Sequence, residues 1–294
     1  MLRELRTLTA VAREGSFAAA GERIGLTQSA ISAQMQRLES SLNIKLFERH
    51  GRTARLNRQG QLVLKQAQEL IRQYERLGAA PEEADTPILI NIGAIASVQR
   101  SLLPDAVAAF HQQHTGCRTR IVPGLSLALV NLVDAGELDM AAVIRPPFAL
   151  HTDLRMTLLV REPFRLIVPR RITGNDWAAL LSKHPFIRYD RTSFGGRQVD
   201  RFLRRRHLSV NEVCEVDELE AIVKLVANGV GIALAPQTRT LRRWPAAVRA
   251  IDLGSQTFHR DIVLVHRTER SLSTTAQALL HEIIAQADMT ASSG

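Results

Sequence analysis

Residues 16–57 constrain the fold of this chain most strongly, because they predict two short helices joined by a tight turn and followed by a basic hairpin. Ser16 and Thr27 are favourable N-cap residues for the two helices, and Gly25 is placed to end the first. The apolar residues of each segment recur three or four positions apart, at Phe17, Ala20 and Ile24 in the first and Ile31, Met35 and Leu38 in the second.

The outward face of the second predicted helix carries small or amide-bearing side chains and no row of paired charges. Short side chains allow close approach to a DNA groove, and Gln or Ser side chains can hydrogen-bond base edges. An ordinary helical hairpin with a solvated polar face is the alternative. The residues predicted to face DNA are Thr27, Gln28, Ser29, Ser32, Ala33, Gln36 and Arg37.

The flanking segments favour the DNA-binding interpretation. An amphipathic helix with Leu2, Leu5, Leu8 and Val11 on one face precedes the hairpin and would complete a three-helix core. The segment KLFERHGRTARLN follows and predicts a two-stranded wing turning at His50-Gly51. Arginines on such a tip suit contact with phosphates or the minor groove, although a basic surface loop without function is the alternative. The wing residues predicted to contact DNA are Arg49, Arg52 and Arg55.

The stretch SFAAAGERIGLTQSAISAQMQRLESSLNIKLFER, continued by RTARLNRQG, resembles the winged helix-turn-helix of the LysR-type transcriptional regulators almost position for position. This resemblance implies that Gln28, Ser29 and Ser32 contact bases or nearby phosphates. Members of the family often have a long basic residue where this chain has Ala33, which could offer only a methyl contact to thymine. Asn57 replaces a frequent Thr and can cap a helix equally well.

Composition agrees with a DNA-binding module at the N-terminal end. The 294 residues are enough for two or three domains, and the formal net charge is +9. Residues 1–80 carry 13 basic against 7 acidic residues, whereas the remaining 214 carry 25 against 22. Basic charge concentrated in one quarter of the chain is typical of a module that binds a polyanion.

No signal peptide is expected, because Arg3, Glu4 and Arg6 interrupt any apolar run at the start. No stretch reaches the ~18 apolar residues needed to span a bilayer, so we expect a cytoplasmic protein without a membrane partner. Cys117 and Cys214 are far apart and lack metal-ligand spacing, which favours inert thiols over a redox switch.

Residues 58–80 predict one long linker helix with apolar residues at near-heptad spacing. A single apolar stripe outside a domain core needs a partner, and a second copy of the helix is the simplest one. Packing against the chain's own N-terminal domain is the alternative. The resemblance favours a homodimer whose two recognition helices read an interrupted palindrome in promoter DNA. It further implies a homotetramer, with RNA polymerase as a possible additional partner.

From Ile88 onward strands alternate with helices, which predicts a parallel-rich α/β domain after a hinge at 81–87. LP at 103–104, GELD at 136–139 and VANGVGIALAP at 226–236 resemble the effector-binding part of the same family, which has a periplasmic-binding-protein fold. The whole chain is therefore predicted to comprise a DNA-binding domain (1–57), the linker helix and an effector domain (88–294). Subdomain I would be formed by 88–160 and 262–294, and subdomain II by 161–261.

The effector is predicted to bind in the cleft between these subdomains, where loops follow the strands. Hydroxyls beside helix N-termini and arginines at strand ends would suit a small organic acid. Each of these residues could instead be a turn residue, a cap or a surface ion pair. The predicted effector-binding residues are Ser97, Val98, Gln99, Ser126, Arg145, Ser193, Phe194 and Arg197.

Catalytic function is not predicted, since the sequence contains no GxSxG, P-loop, HExxH or CxxC pattern. No metal or cofactor is expected either. A plain solute-binding protein would not need residues 1–80, and a structural DNA-packaging protein would not need the α/β half. A regulator that couples ligand binding to DNA binding explains every segment.

Overall fold

The computed structural model describes residues 1–48, 54–77, 88–241 and 243–291, and they form two compact units, 1–86 and 87–294. The helices of the described residues are Leu2–Glu14 (α1), Phe17–Ile24 (α2), Gln28–Leu42 (α3), Arg58–Leu77 (α4), Ala96–Gln99 (α5), Leu102–Gln113 (α6), Ser126–Ala135 (α7), Trp177–Lys183 (α8), Phe194–Arg205 (α9), Leu219–Ala227 (α10) and Thr274–Ala291 (α11). The strands are Ile88–Ala94 (β1), Cys117–Pro123 (β2), Met140–Ile144 (β3), Leu154–Pro169 (β4), Pro185–Tyr189 (β5), Asn211–Val216 (β6), Ala233–Pro236 (β7), Val248–Ile251 (β8) and His259–Arg267 (β9).

The first unit has a three-helix core, as the sequence predicts. Leu8, Val11, Ile31 and Leu38 are almost completely buried at the centre of α1, α2 and α3. The turn between α2 and α3 requires glycine at position 21, because a Cβ atom there would lie 2.4 Å from the carbonyl oxygen of Leu26. This close approach fixes how α3 leaves the core.

The linker helix α4 contacts both its own domain and solvent. Asn57 caps it, since its side-chain oxygen accepts a 2.8 Å hydrogen bond from the backbone N–H of Gly60. Ala67 is buried against the three-helix core, with Val63, Leu64 and Ile71 half-buried beside it. Three further apolar residues among the described side chains of this helix are exposed, namely Leu62, Leu70 and Tyr74. One face of α4 therefore packs against its own domain, as the alternative interpretation of the sequence holds.

The second unit contains a mixed sheet in the order β2-β1-β3-β9-β4-β7, with β8 also paired to β4. The β1–β2 and β1–β3 pairs are parallel, whereas β9 runs antiparallel to β3 and β4. The prediction of a parallel-rich sheet is thus wrong for this central part, because β4 and β9 are long antiparallel strands that connect two hydrophobic cores.

One core of this unit lies around β1, β3, β9, α6, α7 and α11. The other core lies around the distal half of β4 with β5, β7, α9 and α10. β5 and β6 form a separate parallel pair. Two cores joined by crossing strands confirm the predicted two-part α/β architecture and leave a cleft between them.

The strand and helix alternation in the sequence predicts a strand at FRLIVPR (164–170) and a helix that begins at Val199. In the structure the strand is longer, since β4 has 16 residues, and the helix, α9, begins at Phe194 because Ser193 caps it. Elements α8, β6 and β8 have no counterpart in that prediction. Within the described ranges, no helix combines the length and apolar character that crossing a membrane requires.

Candidate functional site

In the first unit, α3 presents its polar face to solvent. Gln28, Ser29, Gln36 and Arg37 are exposed, and Ser32 and Ala33 are half-buried. This arrangement leaves the amide and hydroxyl groups near the helix N-terminus available to a partner. The face has the short and amide-bearing side chains that suit a helix entering a DNA groove.

Buried and capping hydrogen bonds fix α3 in the three-helix core. The Thr27 hydroxyl accepts a 3.2 Å bond from the N–H of Ala30 and lies 3.0 Å from the hydroxyl of Ser29. On the inner face, Thr7 of α1 donates a hydrogen bond to the buried amide oxygen of Gln34. Since both ends of this contact are buried, α3 is positioned by α1 and not only by apolar packing.

The wing begins and ends in a short antiparallel bridge between Phe47 and Leu56. Glu39 of α3 supports it by accepting a 2.7 Å bond from the N–H of Leu46 and pairing with Lys45 at 2.8 Å. Arg55 is 81% exposed and lies 3.8 Å from Glu48, so its guanidinium can reach an external anion. The predicted contacts Arg49 and Arg52 lie outside the described residues.

In the second unit, a cavity of about 310 Å³ lies between the two cores. One side is formed by the segment that follows β1 and by the N-terminal end of α7. The other side is formed by the residues that follow β5 and β6. The polar residues lining it are Ser97, Gln99, Ser126, Tyr189, Ser193, Asp217, Glu218 and Arg260.

A buried cation, Arg260, is the central polar group of this cavity. Its side chain is 1% exposed and pairs with Glu162 of β4 at 2.6 Å. It also donates to the Ser97 hydroxyl at 3.1 Å and to the Tyr189 hydroxyl at 3.3 Å. These four groups connect the first core, β4, β5 and β9 in one network.

Sequence reasoning missed Arg260, although the sequence contains a signal for it. In β9 it occupies the same strand face as Ile262 and Leu264, which are buried. A cation at the start of an apolar alternating pattern indicates a buried charge that needs a partner.

Burial dominates the titration of the acidic groups near Arg260. It raises the pKa of Glu162 above its usual value, although the charge and hydrogen bond of Arg260 act in the opposite direction. The pKa of Asp217 is raised first by burial and then by Asp190 and Glu218. This side of the cavity therefore combines one cation with carboxyl groups that ionise less readily than in water.

The structure brings together only some of the predicted effector residues. Ser97, Gln99, Ser126 and Ser193 line this cavity. The Gln99 amide donates to the carbonyl oxygen of Ala94 at 2.7 Å. The Ser126 hydroxyl accepts a 3.1 Å bond from the N–H of Ile144, so its lone pairs are partly used.

The remaining predicted effector residues do not line the cavity. Val98 is 4% exposed and packs in the first core, because it faces inward from the short helix α5. Arg145, Phe194 and Arg197 line a separate cavity. The Nε of Arg145 pairs with Asp261 at 3.2 Å, and this ion pair holds the side chain in that cavity. Phe194 and Arg197 also line a third cavity together with Ser126 and Ser193.

Close backbone packing positions Ser193 at the cavity. Its hydroxyl donates to the carbonyl oxygen of Asp190 at 2.8 Å and accepts from the N–H of Gly196 at 3.0 Å. A Cβ atom at Gly196 would lie 1.8 Å from the Asp190 oxygen, and one at Gly195 would lie 2.5 Å from the Tyr189 ring. Both positions require glycine for this steric reason.

An ion pair connects the two sides of the cavity at its rim. Arg100, which follows α5, contacts Glu218 at 2.7 Å and also Glu220, at the start of α10. These side chains are between about one-third and one-half exposed, so water screens the pair. Opening the cleft would break this contact, and the free energy required would be small because the pair is screened by water.

Among the described residues, no group of three His, Cys, Asp or Glu side chains is arranged so that it could hold a metal ion. Cys117 and Cys214 are half-buried free thiols.

Comparison with known proteins identifies both units. Residues 2–61 match the family described as bacterial regulatory helix-turn-helix protein, lysR family, and residues 89–288 match the LysR substrate binding domain. An uncharacterized HTH-type transcriptional regulator of Shigella flexneri, YfeR, is 28% identical over 95% of this chain and 91% of its own.

Solved structures show the same fold. A full-length OxyR variant from Pseudomonas aeruginosa superposes with a TM-score of 0.61 at 22% identity and covers 97% of both chains. The effector-binding domain of QuiR in complex with shikimate superposes with a TM-score of 0.60 at 17% identity, covering 69% of this chain and 98% of its own.

Proposed function

Because this chain belongs to the LysR family of transcriptional regulators, we propose that it reads promoter DNA with α3 and the wing and senses a small organic acid in the cavity around Arg260. It is a DNA-binding regulator with an effector-binding domain and not an enzyme. The observation that carries the effector proposal is the convergence of Ser97, Tyr189 and Arg260 between two separate cores.

The polar groups of the cavity suggest how such an acid would bind. A carboxylate could approach the N-terminal end of α7, where Gly124, Leu125 and Ser126 line the wall and the helix dipole is positive. The carboxyl group of Asp217 could accept a hydrogen bond from a hydroxyl of the same ligand. The ligand of QuiR, shikimate, combines a carboxylate with hydroxyls, which supports a hydroxylated acid as the first compound to test.

The proposed oligomer is a homodimer formed through α4 and assembled into a homotetramer. The exposed residues Leu62, Leu70 and Tyr74 provide an apolar surface on this helix that a second copy could cover. Two paired recognition helices would then read the halves of an interrupted palindrome. RNA polymerase would be a further partner at promoters, and the cytoplasm is the expected location because the promoters are there.

Effector binding would act by shifting a conformational equilibrium. The cavity is bounded by both cores, and β4 and β9 connect them. A ligand that binds one degree of closure more tightly changes the population of that state by its difference in affinity. The change in the effector domains would alter the spacing of the bound DNA-binding domains.

The direct test is to select fragments of the source genome on the purified full-length protein at near-physiological salt and to sequence what binds. We expect a few enriched sites that share an interrupted palindrome. Diffuse recovery without a common motif would reject a sequence-specific regulator.

Replacing Arg55 by alanine is expected to weaken binding to specific and random DNA by similar factors, because the exposed guanidinium would contact phosphate. The slope of log K against log salt should become shallower by about 1. Fluorescence anisotropy at several salt concentrations measures this slope. Arg118→Ala, an equal charge change on exposed β2 of the other unit, is the control, and an unchanged slope for Arg55→Ala would remove the wing from the interface.

Replacing Ser97 by alanine should leave promoter binding intact and reduce the response to the inducer. The change removes one hydroxyl of the cavity and one hydrogen bond of Arg260, which costs about 1 kcal/mol in a typical case. A reporter titrated with inducer would show a higher half-maximal concentration. Ser182→Ala, an exposed position on α8, is the matched control, and an identical titration for Ser97→Ala would exclude it from the site.

A further inference from the structure

A second cavity of about 280 Å³ lies beside α9, and arginines dominate its walls. One wall comes from the end of β3, the middle of β4 and the start of β9. The other comes from one face of α9, where residues 194, 197, 198 and 201 follow helical spacing. The charged and titratable residues lining it are Arg145, Arg161, Arg197, Arg201, His259 and Asp261. We refer to this space as the arginine cavity.

Positive charge in the arginine cavity exceeds what its own carboxylate can neutralise. Asp261 pairs with the Nε of Arg145 at 3.2 Å and the Nε of Arg161 at 3.3 Å. The Nη groups of both arginines make no hydrogen bond to the described part of the chain. Burial and then the neighbouring Arg161 lower the pKa of His259, as expected where positive potential is high.

The two arginines of α9 that line this cavity, Arg197 and Arg201, have no carboxylate partner among the described residues. Arg197 lies over the ring of Phe194 at 5.8 Å and donates weakly, at 3.4 Å, to the carbonyl oxygen of Arg191. Arg201 is exposed and makes no ion pair with the residues that the structure describes. Between them, the amide of Gln198 has a buried oxygen without a hydrogen-bond partner in the same described part.

We propose that the arginine cavity is a second ligand site, which binds a small polyanion carrying at least two phosphate or carboxylate groups. Four guanidinium groups approach it from two walls, and guanidinium forks are the side chains best suited to bidentate recognition of these groups. A single carboxylate ligand would leave most of this charge unmatched. The cavity volume of about 280 Å³ fits a metabolite-sized molecule and not a duplex.

The arginine cavity is adjacent to the effector cavity along the chain. Ser193 lines the effector cavity, whereas the next residue, Phe194, lines the arginine cavity. Because both residues belong to the start of α9, a ligand that draws Arg197 and Arg201 towards Arg145 would act on the same helix end that borders the effector. Any resulting coupling would be reciprocal, so each ligand would change the affinity of the other by the same factor.

Calorimetric titration of the full-length protein tests the site with three probes at constant ionic strength: sodium pyrophosphate, trisodium citrate and sodium acetate. We expect saturable binding of one molecule per chain for at least one of the two polyanions and none for acetate. Binding of pyrophosphate alone would indicate a phosphorylated ligand, and binding of citrate alone a polycarboxylate. Saturable binding of neither would overturn the proposal.

Variants locate the bound anion. Arg197→Ala and Arg201→Ala should each weaken binding by about tenfold or more, as expected for the loss of a charge-assisted contact. Arg204→Ala removes the same charge from the same helix, but its side chain pairs with Asp200 and does not line the arginine cavity, so less than about a twofold change is expected. Equal thermal midpoints without anion would show that all three variants are folded.

Two results would contradict the location. Full affinity in Arg201→Ala would place the anion elsewhere, for example on the DNA-binding unit. If Arg204→Ala weakened anion binding as much as the other two variants, the loss of affinity would come from the change in net charge and not from a contact in the arginine cavity. Binding of a random DNA duplex is measured for the same variants. If Arg201→Ala lost duplex binding but kept its affinity for the polyanion, this surface would contact the DNA backbone, and the proposal would be overturned.

Discussion

Replacing Arg260 by methionine should lower the free energy of unfolding of the effector domain by about 3–5 kcal/mol, the usual cost of removing one partner of a buried ion pair. The change leaves Glu162 buried without its cation and removes the partner of the Ser97 and Tyr189 hydroxyls. Trp177 and Trp244, the two tryptophans of the chain, both pack against the second core. Their fluorescence during urea unfolding therefore reports on this domain.

The double variant Glu162→Leu/Arg260→Met separates the buried charge from the loss of packing. Removing both charges leaves no uncompensated ion, so we expect roughly 1–3 kcal/mol of the loss to be recovered. Arg118→Met, an exposed arginine of the same unit, should change stability by less than about 0.5 kcal/mol. If Glu162→Leu lowered the free energy of unfolding further in the Arg260→Met background, the unpaired charge of Glu162 would not be the cause of the instability of Arg260→Met.

The pH dependence of the free energy of unfolding follows from the direction of the Glu162 pKa shift. Burial places the pKa of Glu162 in the folded state above its unfolded value. Between these two pKa values the unfolded state binds fewer protons than the folded state, so stability falls as pH rises through the folded pKa. Loss of Arg260 removes the main influence that lowers this pKa and therefore strengthens the trend. The deficit of Arg260→Met relative to the native chain should be smaller at about pH 5 than at about pH 8.

The DNA-binding half could be predicted closely because local rules determine it. Caps at Ser16 and Thr27, the turn at Gly25 and helical apolar spacing are all encoded within a few residues. These signals do not depend on distant contacts, so a single sequence suffices to place α2 and α3.

The effector half was predictable in architecture but not in detail. Arg145 was expected at the ligand because it follows a strand, yet a residue more than a hundred positions away, Asp261, pairs with it in the arginine cavity. Arg260 reaches the effector cavity only because β4 and β9 pair antiparallel across the two cores. Such long-range strand pairing decides which side chains meet, and no local pattern encodes it.

Replacing Gln28 by alanine should weaken binding to the selected promoter site by roughly 1–3 kcal/mol, which is about 5- to 150-fold in Kd, and change binding to random DNA much less. Gln28 is the first residue of α3, directly after the Thr27 cap, and is exposed. Residues at the N-terminal end of a recognition helix are those that contact base edges. A Gln amide can bind adenine through two hydrogen bonds, whereas alanine can form neither.

Competition titrations on the promoter site and on a scrambled duplex of equal length separate base reading from phosphate binding, since only the first term depends on sequence. Gln112→Ala makes the same chemical change at an exposed position of α6 in the other unit and should alter neither affinity. Promoter variants with each base pair of the half-site substituted should show that Gln28→Ala has lost discrimination at one position only. Equal weakening on promoter and scrambled DNA would mean that Gln28 contributes to the general interface and that the bases are read by other side chains of α3.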